Sequence, residues 1–148
     1  MPTPVDPHQS ADPALPCILV VEDEPVIREL MAILLEEEGY AVRQACDGLE
    51  ALQTVDQHPV DLVLSDVKMP RLDGASLARH LCTRDDPLPV ILMSAVYAEV
   101  DLPGVRFLRK PVAGEHLLAI IATALRESTR STRSGGLDDW TSSAPALG

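Results

Sequence analysis

Short β-branched runs alternating with segments of helical period constrain this chain more than any other feature. Ile18-Leu19-Val20-Val21 is apolar, partly β-branched and too short for a helix. From Pro25 the period changes: Ile27, Leu30, Met31, Leu34 and Leu35 recur at three- and four-residue steps. Pro25 suits a first helical turn and Gly39 a helix end. Residues 40–45 return to extended character, and Asp47 is placed to cap a helix over about 48–57. Val60 to Ser65 reads as a second strong strand, cut off by Met69-Pro70, and Asp73 caps a helix presenting Leu77 and Leu81. Val90 to Met93 and residues 105–108 complete five strands. A last helix is expected from about 113 to 127, with Leu117, Ile120, Ile121 and Ala124 inward. Strands alternating with helices imply right-handed βαβ units and a parallel sheet, an α/β fold.

Composition agrees with such a sheet. Hydrophobic residues make up 46% of the 148 but aromatics only 3%, so the core is aliphatic, as suits a parallel sheet covered by helices. With 12 basic against 23 acidic residues, a net charge of −11 repels nucleic-acid phosphates and argues against direct DNA binding. No apolar run approaches ~18 residues and no leader pattern opens the chain, so no membrane association is expected. Cys17, Cys46 and Cys82 lack any CxxC or metal-like spacing and read as buried free thiols, consistent with a reducing cytoplasm. Residues 1–16, with Pro2, Pro4, Pro7, Pro13 and Pro16, read as a disordered lead-in. The domain then covers 17–127. Residues 128–148, rich in Ser, Thr, Gly and Ala and holding the single Trp140, read as a flexible tail.

In open α/β sheets, functional groups gather at the carboxyl ends of the strands. Strand one ends at Glu22-Asp23, the strand of 60–65 at Asp66, the next at Ser94 and the last at Lys110. Taken singly, each could be an ordinary strand-end polar group or a helix cap. Together, three carboxylates on one rim repel one another and raise their own pKa values unless a cation sits among them. A hard divalent ion with oxygen ligands resolves the conflict, and Mg²⁺ uses few carboxylates while keeping waters for a phosphate-bearing group. The Ser94 hydroxyl and the Lys110 ammonium would complete a cradle for a phosphoryl group, with Asp66 as the nucleophile that forms an acyl phosphate.

At these residues the sequence resembles the receiver domains of bacterial two-component response regulators. The resemblance rests on Val20-Val21-Glu22-Asp23-Glu24-Pro25, Leu64-Ser65-Asp66-Val67-Lys68-Met69-Pro70 with Asp73-Gly74, Met93-Ser94-Ala95, and Lys110-Pro111, in the family's order across about 17–125. It implies a doubly wound five-stranded parallel sheet with the flavodoxin- or CheY-like strand order 2-1-3-4-5. It also implies phosphorylation of Asp66 by a histidine kinase, whether free-standing, hybrid or part of a phosphorelay. On this resemblance Asp23 and Asp66 match the side-chain ligands of Mg²⁺, Glu22 the accompanying acid acting through water, and Lys68 the residue whose backbone carbonyl reaches the metal. Ser94 matches the switch hydroxyl, Lys110 the phosphoryl-contacting lysine and Phe107 the aromatic switch position, a ring that is also expected to pack in the core. The Lys110–Pro111 bond matches one that is usually cis in the family.

Two departures from the family pattern carry expectations. Only fifteen residues, 95–109, separate Ser94 from Lys110, leaving about 96–104 for a connection that holds at most ~2 helical turns or none. The fourth helix is therefore expected to be short or missing, and docking or dimerisation to move to other faces. Lys68 and Val96 sit two residues after Asp66 and Ser94, where water would approach an acyl phosphate. Val96 cannot orient such a water, so slow self-dephosphorylation is expected.

Competing readings are weaker. An aspartyl-nucleophile phosphatase needs an acid two residues after the nucleophile, where this chain has Lys68, so a switch with self-phosphorylation and self-dephosphorylation only is expected rather than an enzyme. No GxGxxG or GxxxxGK[ST] supports a nucleotide-binding module. The intact Glu22/Asp23/Asp66/Ser94/Lys110 set argues against a pseudo-receiver. No output domain is expected after residue 125, so signalling would pass through a downstream protein target or a second copy.

Overall fold

The structure, a computed structural model, describes residues 15–96 and 102–137, with side chains up to Ser128. Its elements are β1 (Cys17–Val21), α1 (Pro25–Glu37), β2 (Ala41–Ala45), α2 (Gly48–Gln57), β3 (Leu62–Asp66), α3 (Gly74–Cys82), β4 (Val90–Ser94), β5 (Val105–Arg109) and α4 (Gly114–Leu137). The five strands form one parallel sheet in the order β2-β1-β3-β4-β5. The order follows from connectivity: the chain crosses from β1 to β2 on one side, then from β2 back past β1 to β3 and on to β4 and β5 on the other, so helices cover both faces.

Alternation along each strand sorts the core into two layers. Leu19 and Val21 of β1, Val63 of β3 and Leu92 of β4 pack with Ala51 and Val55 of α2 and Leu77, Ala78 and Leu81 of α3. Ile18 and Val20, Leu62 and Leu64, and Ile91 and Met93 pack on the opposite face with Leu35 of α1 and Leu117, Ile121 and Ala124 of α4. The three central strands are apolar on both faces, which is why they read as continuous hydrophobic runs.

The local signals act as expected. Pro25 opens α1, Asp47 caps α2 by accepting from the Glu50 N–H, and Asp73 caps α3 by accepting from the Ser76 N–H. Gly39, at φ +97°, takes the left-handed residue that ends α1. Four helices accompany the five strands, and no helix lies between β4 and β5 among the described residues; 97–101 fall outside them.

One helix buries only part of its apolar stripe, and two expectations need correction. The apolar stripe of α1 is wider than the face it buries: Ala32 and Leu35 are buried, Met31 and Leu34 half-buried, and Ile27 and Leu30 exposed. The last helix continues to Leu137, ten residues past the expected end, because no proline interrupts it and its first interior glycines are Gly135 and Gly136. The three cysteines are free, but half-buried rather than buried, since each stands at an element end or edge. The lead-in 1–14 and Trp140 lie outside the described residues. None of the described helices is long and apolar enough to cross a membrane.

Candidate functional site

Parallel pairing brings the strand ends level. Val21 pairs with Ser65, Asp66 with Met93 and Ser94 with Arg109, so the residues that follow converge on one rim. The ladder then runs on past the strands: the Val67 N–H donates to the Met93 carbonyl at 3.0 Å and the Lys110 N–H to the Ser94 carbonyl at 2.8 Å.

Glu22, Asp23 and Asp66 each bring a carboxylate oxygen within 4.8 Å of the others. Lys110 faces them, its Nζ 3.5 Å from Asp66 Oδ1 and 3.9 Å from Glu22 Oε1. Asp66 Oδ1 also accepts from the Val67 N–H at 2.9 Å. Glu22 is 1% exposed; one of its oxygens accepts from the Glu24 N–H at 3.2 Å, and Oε1 accepts no hydrogen bond. Burial pushes the Glu22 carboxyl above its ordinary range; the Glu24 N–H opposes this, and the Asp66 charge adds to it more than Lys110 relieves it.

The donor set fits a hard cation. A buried carboxylate oxygen without a hydrogen bond stands beside two more carboxylates, so the cluster is short of positive charge, and its exposed member Asp23 opens it to water. Oxygen ligands with room for retained waters are what Mg²⁺ uses.

The other expected residues surround this cluster. Ser94 is buried at the end of β4, its Oγ accepting from the Val96 N–H at 3.2 Å, while Val96 itself is exposed. Lys68 is exposed on the β3–α3 loop and lines an open concavity with Asp23, Val67, Met69, Pro70 and Asp73. The Lys110–Pro111 peptide is cis. Phe107 lies in mid-β5 opposite Leu92, half-buried against the α2/α3 core and outside the carboxylate cluster.

Three supporting residues went unnoticed in the sequence or were noticed for another reason. Arg28, on α1, donates from Nη1 to the Glu22 carbonyl at 2.7 Å and from Nε to Gln44 at 3.3 Å. Gly74 packs so closely on β3 that a Cβ there would lie 2.2 Å from the Asp66 carbonyl oxygen. Arg71 pairs with Asp47, which sequence had marked only as a helix cap. Such contacts join distant elements, and local spacing carries no trace of them.

The comparisons agree with this geometry. The family model for the response regulator receiver domain matches residues 18–122. Response regulator GtcR of Aneurinibacillus migulanus is 39% identical over 117 residues, covering 75% of this chain and 48% of that protein. Response regulator MprA of Mycobacterium leprae is 38% identical over 117 residues, covering 75% and 51%. The chain thus spans about half the length of these curated relatives. Among solved structures, the response regulator TrrA of Thermotoga maritima, crystallised with Mg²⁺ and BeF, is 32% identical with a TM-score of 0.68, covering 74% of this chain and 99% of that one. The receiver domain of the hybrid histidine kinase CckA is 36% identical with a TM-score of 0.65, covering 74% and 98%. With the sheet order, the acidic rim and the family match in agreement, this chain belongs to the response regulator receiver domains, the phosphoacceptor modules of two-component signalling.

Proposed function

We propose that Asp66 accepts a phosphoryl group from a phosphohistidine of a histidine kinase, with Mg²⁺ held by Asp23, Asp66 and the Lys68 carbonyl, and Glu22 acting through water. An Asp66 oxygen attacks phosphorus, the P–N bond to the imidazole breaks, and an acyl phosphate forms. Bound Mg²⁺ would supply charge neutralisation for the phosphoryl oxygens. Lys110 holds the same oxygens from the other side, and Ser94 turns its hydroxyl from the Val96 N–H toward them, with Phe107 following. Fixed positive groups aimed at the transferring group are the main catalytic resource in phosphoryl transfer. The observation that carries the reading is the Asp66 carboxylate 3.5 Å from Lys110 Nζ within a three-carboxylate cluster.

The donor is a protein side chain, so a docking surface must adjoin the site. Supporting one, α1 exposes Val26, Ile27, Leu30 and Ile33, Val26 at 70% and Leu30 at 60%. Ile27 and Leu30 also line an apolar groove of about 560 Å³ that reaches Lys110 and Pro111. Contiguous exposed apolar surface of this kind marks protein interaction sites. The phosphorylated rim gains roughly −1.5 to −2 charges, and the signal leaves through a protein partner or self-association. Free thiols fit the reducing cytoplasm in which such kinases use ATP.

The test is incubation with acetyl phosphate and Mg²⁺, read by intact mass. One phosphoryl group should appear, lost with Asp66→Asn or with a chelator. An Asp66→Asn protein phosphorylated as well as the wild type overturns the assignment. After the donor is removed, the adduct should outlast seconds and decay faster in Val96→Glu, because exposed Val96 offers no group to orient water.

A further inference from the structure

We propose that Arg71 is a positioning residue for the phosphoacceptor site: clamped to the buried Asp47, it holds the β3–α3 loop so that Lys68 stays poised beside Asp23 and Asp66. The inference rests on the phosphoacceptor reading above and extends it to a residue that touches none of the reacting groups.

Between Asp66 and Asp73 the chain must leave a strand and start a helix within a few residues. One end of this loop is fixed by Gly74, whose N–H donates to the Val67 carbonyl at 2.8 Å and whose Cα leaves no room for a side chain beside Asp66. In the middle, Arg71 stands at φ 71°, the left-handed region that residues with a Cβ avoid, and the Leu72 N–H turns back to the Pro70 carbonyl at 2.8 Å. Glycine or asparagine would take that backbone more readily. What arginine adds is reach and a forked donor.

The fork closes on Asp47, 24 residues away in sequence: Nε lies 2.9 Å from Oδ2, and Nη2 bonds the same oxygen. The other oxygen, Oδ1, accepts from the Glu50 N–H at 2.8 Å, so one carboxylate caps α2 and anchors the loop. Its side chain is 3% exposed, and the Glu50 N–H and then Arg71 hold its carboxyl below the usual range. A second link runs alongside: the Gly48 N–H donates to the Leu72 carbonyl at 3.2 Å, in a contact so close that a Cβ on Gly48 would lie 2.4 Å from that oxygen.

The loop is thus pinned at Val67 by Gly74 and at Arg71–Leu72 by Asp47–Gly48. The stretch between the pins, Lys68 to Pro70, lines the concavity that Asp23 shares. Release of the Arg71 pin leaves Asp47 without its cation and lets that stretch drift from the carboxylates. Groups that orient ligands at one remove typically govern metal affinity by roughly 10- to 100-fold.

Arg71→Gly tests this, because glycine keeps the φ 71° backbone accessible and deletes only the fork. Mg²⁺ is titrated while amide NMR shifts of Val67, Lys68 and Gly74 are followed, and acetyl phosphate phosphorylation is measured against Mg²⁺ concentration. The Mg²⁺ concentration for half-saturation should rise roughly tenfold in both assays. The rate at saturating Mg²⁺ should fall much less, the melting temperature should shift by only a few degrees, and Arg71→Lys should recover part of the affinity. A purely structural role would instead lower the amount of active protein without moving the half-saturation point, and that result overturns the proposal. Should Arg71→Gly fail to fold, Asp47→Asn, which keeps an oxygen for the Glu50 N–H and drops the charge, is read by the same criterion. If the wild type binds no Mg²⁺ and takes no phosphoryl group on Asp66, the phosphoacceptor reading falls and this inference with it. If the wild type does both and Arg71→Gly matches it, this inference alone falls.

Discussion

Glu22 carries a charge that its surroundings oppose. It is buried, one oxygen accepts no hydrogen bond, and the Asp66 carboxylate adds repulsion that Lys110 only partly relieves. Its carboxyl is held above the ordinary value of 4.5, so the folded state binds this proton more readily than the unfolded state does. The contribution to stability is full below that unfolded value and is lost as pH rises through the folded one. In metal-free buffer at neutral pH, Glu22→Gln should therefore raise the melting temperature by a few degrees, with the gain fading as pH falls toward 4.5. Added Mg²⁺ should reverse the ranking, because the cation needs the charge that the fold resists. Calorimetry at several pH values, with and without Mg²⁺, reads both. At this scale sequence was informative about the acids: Glu22, Asp23 and Asp66 each end a strongly apolar run, and strand ends are where parallel sheets collect function. Arg28 and Arg71 were not legible, since each acts through a partner set by the meeting of separate elements.

Among the elements, α1 departs most from its amphipathic pattern. Its 3.6-residue periodicity is real, but the face it presents to the sheet is narrower than its apolar stripe, leaving Val26, Ile27, Leu30 and Ile33 outside. Removal of an exposed leucine costs the fold little, whereas a docked partner would meet an added carboxylate directly. Leu30→Glu should leave the melting temperature and acetyl phosphate phosphorylation unchanged while slowing transfer from a phosphorylated histidine kinase by roughly tenfold or more. Equal transfer to both proteins would remove α1 from the docking surface. The β4–β5 connection works the other way. Its shortness was countable in sequence, and only ten residues, 95–104, join Ser94 to Val105. Val105 and Phe107 are half-buried there, packed against the α2/α3 core from the edge strand.

Across the whole molecule, the α4 side chains are described up to Ser128 while the helix itself runs on to Leu137. Among the described residues, the last of α4 in the core are Ala124 and the half-buried Leu125, and the Arg106–Glu127 ion pair follows. Residues 129–148 hold few large apolar side chains, so their deletion should leave the melting temperature within a few degrees and Asp66 phosphorylation intact; a large loss in either would show that the segment packs on the domain. Sequence by itself determined the α/β class, the five strands, the helix starts at Pro25, Asp47 and Asp73, and the acids at the strand ends. These follow from periodicity and capping, which act within a few residues. It also limited what could follow Ser94, because chain length bounds a helix before any packing occurs. Tertiary structure alone decided which apolar face of α1 stays exposed, how near Lys110 comes to Asp66, and that Asp47 serves the β3–α3 loop as well as α2. Those outcomes depend on contacts between separate elements, whose geometry exists only after the sheet has paired and both helix layers have closed on it.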